Sequence, residues 1–282
     1  MRKAYCSESS FLNSIYKHKN DKKHFNVWWL GQSGFLIQWN GKHLLMDPYL
    51  SESLTNKYAE TDKPHIRMTE RVVNPLKMDF VNVVTASHGH TDHLDPETLH
   101  PLIKANNNLD LIVPAAEINL AMERSGLPKD KITTINVGET IKSNGFTIRA
   151  IPSAHEKIKK DQNGNHFYLG YIVNFGSWTI YHSGDTIEYD QMEKYLSAWD
   201  LDIVFLPING RKQERRVPGN MWGNESASLA KRVNARAVIP HHYNMFTFNT
   251  ESPKNFIAEA NNLGQLFFIL ENGQRWSSKE LE

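Results

Sequence analysis

Ser87-His88-Gly89-His90-Thr91-Asp92-His93 places three imidazoles and one carboxylate within the six residues from 88 to 93. Imidazole nitrogen and carboxylate oxygen are the donor types that suit Zn²⁺, Mn²⁺ and Fe. The stretch follows Val81 to Ala86, which reads as a buried strand, and precedes Asp95-Pro96-Glu97. That triplet reads as a helix start, with Asp95 as N-cap and Pro96 at the first helical position. A loop held between two rigid elements is where functional side chains tend to lie. In an extended segment His88 and His90 point to one side and could share an ion; the chain then turns, so Asp92 and His93 could face a second. The competing reading is a polar loop of ordinary hydrogen-bonded histidines. It would win for a lone histidine, and four donor-type residues at this spacing weigh against it.

Working outward, Phe25 to Leu30 and Phe35 to Trp39 read as a hairpin across Gly31 to Gly34, and Asn40-Gly41 turns the chain into a third strand, His43 to Met46. Residues 111–113, 132–137, 146–151, 169–175, 178–182, 203–206 and 237–239 read as further strands, with a last one over Leu266 to Leu270. Helices are expected over 115–125, about 224–234 and about 253–262, and a short amphipathic one over 9–18, outside the main fold. Apolar strands mixed with helices imply two packed sheets with helices outside.

Three further donor residues follow expected strands: His155 in Pro152-Ser153-Ala154-His155, Asp185 in Ser183-Gly184-Asp185-Thr186, and a histidine of Pro240-His241-His242-Tyr243. With these in order, the chain resembles the metallo-β-lactamase superfamily, whose signature HxHxDH is matched at His88, His90, Asp92 and His93. The resemblance covers roughly residues 25–270. Trp29-Leu30-Gly31-Gln32-Ser33-Gly34 together with Leu45-Met46-Asp47-Pro48 is similar to the branch containing bacterial L-ascorbate-6-phosphate lactonase and N-acyl-phosphatidylethanolamine phospholipase D.

The resemblance implies an α/β fold, an αββα sandwich of two mixed β-sheets with helices on the outer faces, spanning 25–282 after an N-terminal extension over 1–24, expected to be helical. It implies two divalent ions, Zn or Mn with Fe left open. Metal 1 would take His88, His90 and His155; metal 2 would take Asp92, His93 and His242, with Asp185 shared. Asp47 would lie beneath the metals, and His241 would stand behind them or point away. Ions about 3.5–4 Å apart share a water and bring its pKa toward neutrality. The expected activity is therefore metal-dependent hydrolysis, with Asp92 and Asp185 as catalytic residues, acting on a lactone or phosphate ester such as a sugar-phosphate lactone. The alternatives are a phosphodiesterase or phospholipase D-like hydrolase and an iron-dependent redox protein on the same fold.

Gly210 to Arg216 carries Arg211, Lys212, Arg215 and Arg216. It reads either as an anion-capturing loop over the site or as a solvated surface. Gln32 and Tyr243 are further candidates for touching substrate, and Trp222 and Phe246 for an apolar wall.

Composition sets the outer limits. Thirty-two Lys and Arg nearly balance 31 Asp and Glu, for a net charge of +1, which gives no electrostatic reason to expect nucleic acid or an anionic membrane as partner. The single cysteine, Cys6, forbids an intrachain disulfide and fits a reducing compartment. The polar segment Met1 to Asn20 has no apolar signal-peptide core. A cytoplasmic protein with a small-molecule substrate is expected, with homo-oligomerisation left open.

Overall fold

The computed structural model describes residues 1–282. Its strands are β1 (Asn26–Trp29), β2 (Phe35–Trp39), β3 (Lys42–Met46), β4 (Val83–Thr85), β5 (Asp110–Pro114), β6 (Ile132–Ile135), β7 (Thr140–Ser143), β8 (Phe146–Pro152), β9 (Leu169–Phe175), β10 (Trp178–His182), β11 (Ile203–Pro207), β12 (Ala237–His241) and β13 (Arg275–Ser277). The helices are α1 (Glu8–His18), α2 (Ser53–Lys57), α3 (Pro96–Ala105), α4 (Ile118–Ser125), α5 (Met192–Leu196), α6 (Gly223–Arg232) and α7 (Lys254–Leu263).

Two mixed sheets form, of seven strands in the order β13-β1-β2-β3-β4-β5-β6 and of six in the order β12-β11-β10-β9-β8-β7. In each, an antiparallel meander continues into parallel strands, β3 to β6 in one and β10 to β12 in the other. The chain is thus an α/β sandwich with helices on the outer faces.

The first sheet is apolar on both faces because both are covered. Val27, Trp29, Phe35, Ile37, Leu44, Met46, Val83 and Ile112 point between the sheets and join a core that includes Ile148, Tyr171, Val173 and Phe205. Their immediate neighbours Trp28, Leu30, Leu36, Leu45, Val84 and Leu111 point outward into a second core with Phe11 and Ile15 of α1 and Leu99 and Leu102 of α3. This is the two-residue alternation of a strand, with each buried side chain contributing about 1.5–3 kcal/mol. Because Phe11 and Ile15 are fully enclosed there, α1 does not stand outside the main fold.

Three local readings change. Leu266 to Leu270 is not a strand: it meets β12 only at a Val238–Phe267 bridge, and most of it is half-buried. The closing strand is β13, which pairs antiparallel with β1. The hairpin β7–β8 was not anticipated, although Asn144-Gly145 at its tip, both with positive φ, is a hairpin signal. No helix is long and apolar enough to cross a membrane.

Candidate metal centre

The loops leaving β3, β4, β8, β10 and β12 converge and bring the donor residues together. Residues 87–93 are bends and turns rather than extended chain, so His88 and His90 are neighbours through the turn, with ring centroids 4.6 Å apart. Gly89 lets the Glu117 carboxylate and Leu120 pack close to the loop: a Cβ there would lie 2.7 Å from each, and those side chains would have to move.

The supporting hydrogen bonds assign the imidazole protons. Asp47 is buried; its Oδ1 accepts the Ser87 N–H (2.7 Å), and its Oδ2 accepts the Ser87 hydroxyl (2.6 Å) and the His93 Nδ1–H (2.6 Å). A carboxylate of this kind only accepts, so His93 turns Nε2 forward. Ser87, having donated to Asp47, accepts from His88 Nδ1 (3.0 Å). His155 donates Nδ1–H to the Gly219 carbonyl (3.0 Å). Three histidines therefore present Nε2 to a common space, and those of His88 and His93 are buried without a hydrogen-bond partner. A buried polar atom left so costs about 1–3 kcal/mol unless something binds it. Donor atoms of His88, His90 and His155 lie within 4.8 Å of one another, as do those of His88, His93 and Asp185. This nitrogen and oxygen set fits a divalent cation of the zinc or manganese kind.

Asp185 ties the loops together. Its Oδ1 is 3.5 Å from His93 Nε2, and its Oδ2 is 3.8 Å from His155 Nε2 and 3.4 Å from His242 Nε2. Asp92 Oδ2 lies 3.7 Å from His93 Nε2 and accepts the Gln32 amide N–H at 2.8 Å. Burial holds His88 neutral well below the usual histidine range, and it brings His90 down to about 4. Burial would do the same to His93, but Asp185, Asp92 and Asp47 outweigh it and hold that imidazole well above its usual value. Burial would raise Asp185, yet His242 and His93 keep it well below the usual carboxylate range. The same carboxylates that favour a proton on His93 would favour a cation, so the two compete at this site.

His241 and His242 are separated by a turn, not by strand pleating. His241 ends β12, gives its Nδ1 to Ser33 Oγ (3.2 Å) and stacks in parallel on His182 (5.3 Å, 3°). His242 follows with φ of 64°, which brings its Nε2 toward Asp185 and Asp92. The oriented partner expected for its other nitrogen is missing: Nδ1 is buried with no partner. The ring is set instead by the left-handed backbone, by the His242 N–H on the Gln32 carbonyl (3.0 Å), and by the Gln32 side-chain amide, whose nitrogen lies 3.0 Å from His242 Nε2. Gln32 and Asp47 also have positive φ, 48° and 45°. Three such residues at one site, at about 1–3 kcal/mol each, are strain that the surrounding packing must hold.

His90, Asp92, His155, Asp185 and His242 line a cleft of about 190 Å³, with His88 and His93 buried behind them. Gln32 lines it, and so does Phe246. Tyr243 does not: it is buried, stacks on Trp29 (4.4 Å) and donates its hydroxyl to the Leu270 carbonyl (2.6 Å). Nor do Arg211, Lys212, Arg215 and Arg216. Arg211 makes a two-pronged pair with Glu225 (2.6 and 2.7 Å), Lys212 and Arg215 share Glu251, and Arg216 pairs with Asp62. Acidic neighbours distant in sequence consume these cations, and only Val217 and Pro218 beyond them reach the cleft. The sequence reading missed Lys57, Tyr58 and His65, which also line the cleft. The available signal was the long irregular stretch between Pro48 and Val81, since loops of that length are often functional.

The family comparison agrees with this architecture. The chain matches the beta-lactamase superfamily domain over residues 26–242, and it belongs to that superfamily. It is 26% identical over 247 residues to a metal-dependent hydrolase of Pyrobaculum aerophilum, covering 87% of this chain and 96% of the relative. Among solved structures it is similar to a metallo hydrolase from Ignicoccus hospitalis (TM-score 0.66, 19% identity, 90% of this chain and 98% of that one). It is likewise similar to an isothiocyanate hydrolase from Delia radicum gut bacteria (TM-score 0.68, 17% identity, 89% and 98%).

An Asp47→Asn variant keeps the size of the side chain and tolerates the positive φ, but weakens the hold on His93 and Ser87. Metal affinity, measured against a competing chelator, is expected to fall about 10- to 100-fold. Unchanged affinity would show that Asp47 does not orient His93.

Proposed function

We propose that this protein is a metal-dependent hydrolase that holds two divalent ions, zinc or manganese, and acts on a small anionic lactone or phosphate ester. The substrate class follows the resemblance to the ascorbate-6-phosphate lactonase branch. The observation that carries the reading is the pair of buried, unpartnered Nε2 atoms of His88 and His93, converging on Asp185, which itself lines a cleft. His88, His90 and His155 would hold one ion and Asp92, His93 and His242 the other, with Asp185 between them. Bound ions would supply Lewis acidity at the scissile group and lower the pKa of the attacking water. The chain's own part is positioning. Gln32 fixes Asp92 through Oδ2, leaving Oδ1 to take the proton released in the attack. Ser87 and Asp47 keep the imidazole protons on the far side of the rings.

The test is elemental analysis of the purified protein, followed by chelation, reloading with zinc or manganese, and assay against lactones and phosphate esters. About two metal equivalents and hydrolysis restored only by reloading are expected. Turnover by the metal-free protein, or fewer than one equivalent bound, overturns the reading.

A further inference from the structure

Besides the metal-donor residues, the cleft is lined by Leu54, Lys57, Tyr58, His65 and Phe246. Lys57 closes α2 at its rim; it is exposed and makes no ion pair. Its Nζ lies 5.3 Å from the Tyr58 ring centroid. The Tyr58 ring packs on His65 (4.5 Å, 33°), and His65 packs on Phe246 (5.2 Å, 75°). His65 is anchored from behind by its Nδ1–H on the Lys63 carbonyl (2.7 Å). The other cation on the cleft, Arg124, spends Nη1 on the carbonyls of Gly89 (2.7 Å) and Leu94 (3.1 Å). Lys57 is thus the cation of this cleft whose charged group makes no hydrogen bond or ion pair to the protein, whereas Arg124 is tethered to the backbone through Nη1, and Lys57 shares the cleft lining with the aromatic side chains and the donors.

We propose that Lys57 is a specificity-determining residue that binds a second anionic group, a carboxylate or a phosphate, of a small bifunctional substrate. The first polar group lies at the metal donors, and the carbon chain lies along Tyr58, His65 and Phe246. The size of the cleft agrees. At about 190 Å³ it is smaller than the roughly 300–1,000 Å³ of sites for drug-sized ligands, which suits a substrate of a few carbons with a charged group at each end. The proposal rests on the hydrolase reading for the identity of the reacting group, but the role of Lys57 is readable without turnover.

The experiment is calorimetric titration of the zinc-loaded protein with succinate, 3-phosphonopropionate and butyrate. All three present a carboxylate, and only the first two carry a second anion. The wild-type protein is expected to bind a dianion about tenfold more tightly than butyrate. A Lys57→Gln variant should lose that preference, and Lys57→Arg should recover most of it. Butyrate affinity and metal content should stay the same in all three proteins. The dianion whose affinity falls more in Lys57→Gln is the one whose second group Lys57 holds more strongly. No preference in the wild type, or a preference that survives Lys57→Gln, overturns the proposal. A Lys57-dependent preference in a protein that hydrolyses no lactone or ester would leave this inference standing and overturn the hydrolase reading instead.

Discussion

An Asp185→Ala variant is expected to lose hydrolysis by on the order of a thousandfold or more, the scale on which one preorganised electrostatic group matters. It should also release metal. Asp185 is the carboxylate that approaches His93, His155 and His242 at once, residues delivered by three separate loops. Without it, cations at the cluster lose the negative charge that offsets their mutual repulsion. Ser33 Oγ loses an acceptor at 3.3 Å, and with it the link that runs back to His241. Elemental analysis should give below half the wild-type metal, and single-turnover assays at saturating metal should not restore the rate. Wild-type metal content with an unchanged rate would remove Asp185 from the centre of the site.

The second large effect is expected at a residue with no side chain. Gly184 has φ of 58°, and a Cβ there would sit 2.5 Å from Ser87 Cβ and 2.6 Å from Ser87 Oγ. A Gly184→Ala change adds left-handed strain of about 1–2 kcal/mol to that collision. It also displaces the hydroxyl that joins Asp47 to His88. A destabilisation of about 3 kcal/mol is expected in denaturant unfolding, in the range for strain plus overpacking. Metal affinity should fall with it, because the protons on His88 and His93 lose their reference point. A Ser87→Ala,Gly184→Ala double variant relieves the Oγ contact but not the lost hydrogen bonds. It should regain part of the stability without regaining metal affinity. Full recovery of both would mean that Ser87 only fills space.

The donor cluster was readable because its residues are chemically distinctive and closely spaced. The strands were readable because their apolar alternation is local. The contacts that decide the rest are not local. Nothing around Arg211 to Arg216 announces that Glu225, Glu251 and Asp62 will absorb its charge. Tyr243 has the look of a wall residue until Trp29, far back in the chain, stacks on it. Lys57, Tyr58 and His65 lie in a stretch without helical or strand periodicity, so only the folded loop shows that they share a cleft with the donors. Leu266 to Leu270 has the composition of a strand but crosses β12 at a single bridge, whereas the shorter Arg275–Ser277 pairs in full. Gln32 adopts a left-handed backbone angle that its residue type seldom chooses, and although Asp and His visit that region more often, no local signal places Asp47 and His242 there.

The pairing of β13 with β1 has a consequence for synthesis. Asn26–Trp28 and Arg275–Ser277 are partners separated by most of the chain. Until the second segment has been translated, the first presents a row of unsatisfied amides and carbonyls beside Trp28 and Trp29, an open template for another nascent copy. The donors obey the same timetable, since His242 arrives long after His88. A ribosome-bound chain can therefore build the first hairpin early, but its exposed edge stays open until the far end of the polypeptide returns to cover it.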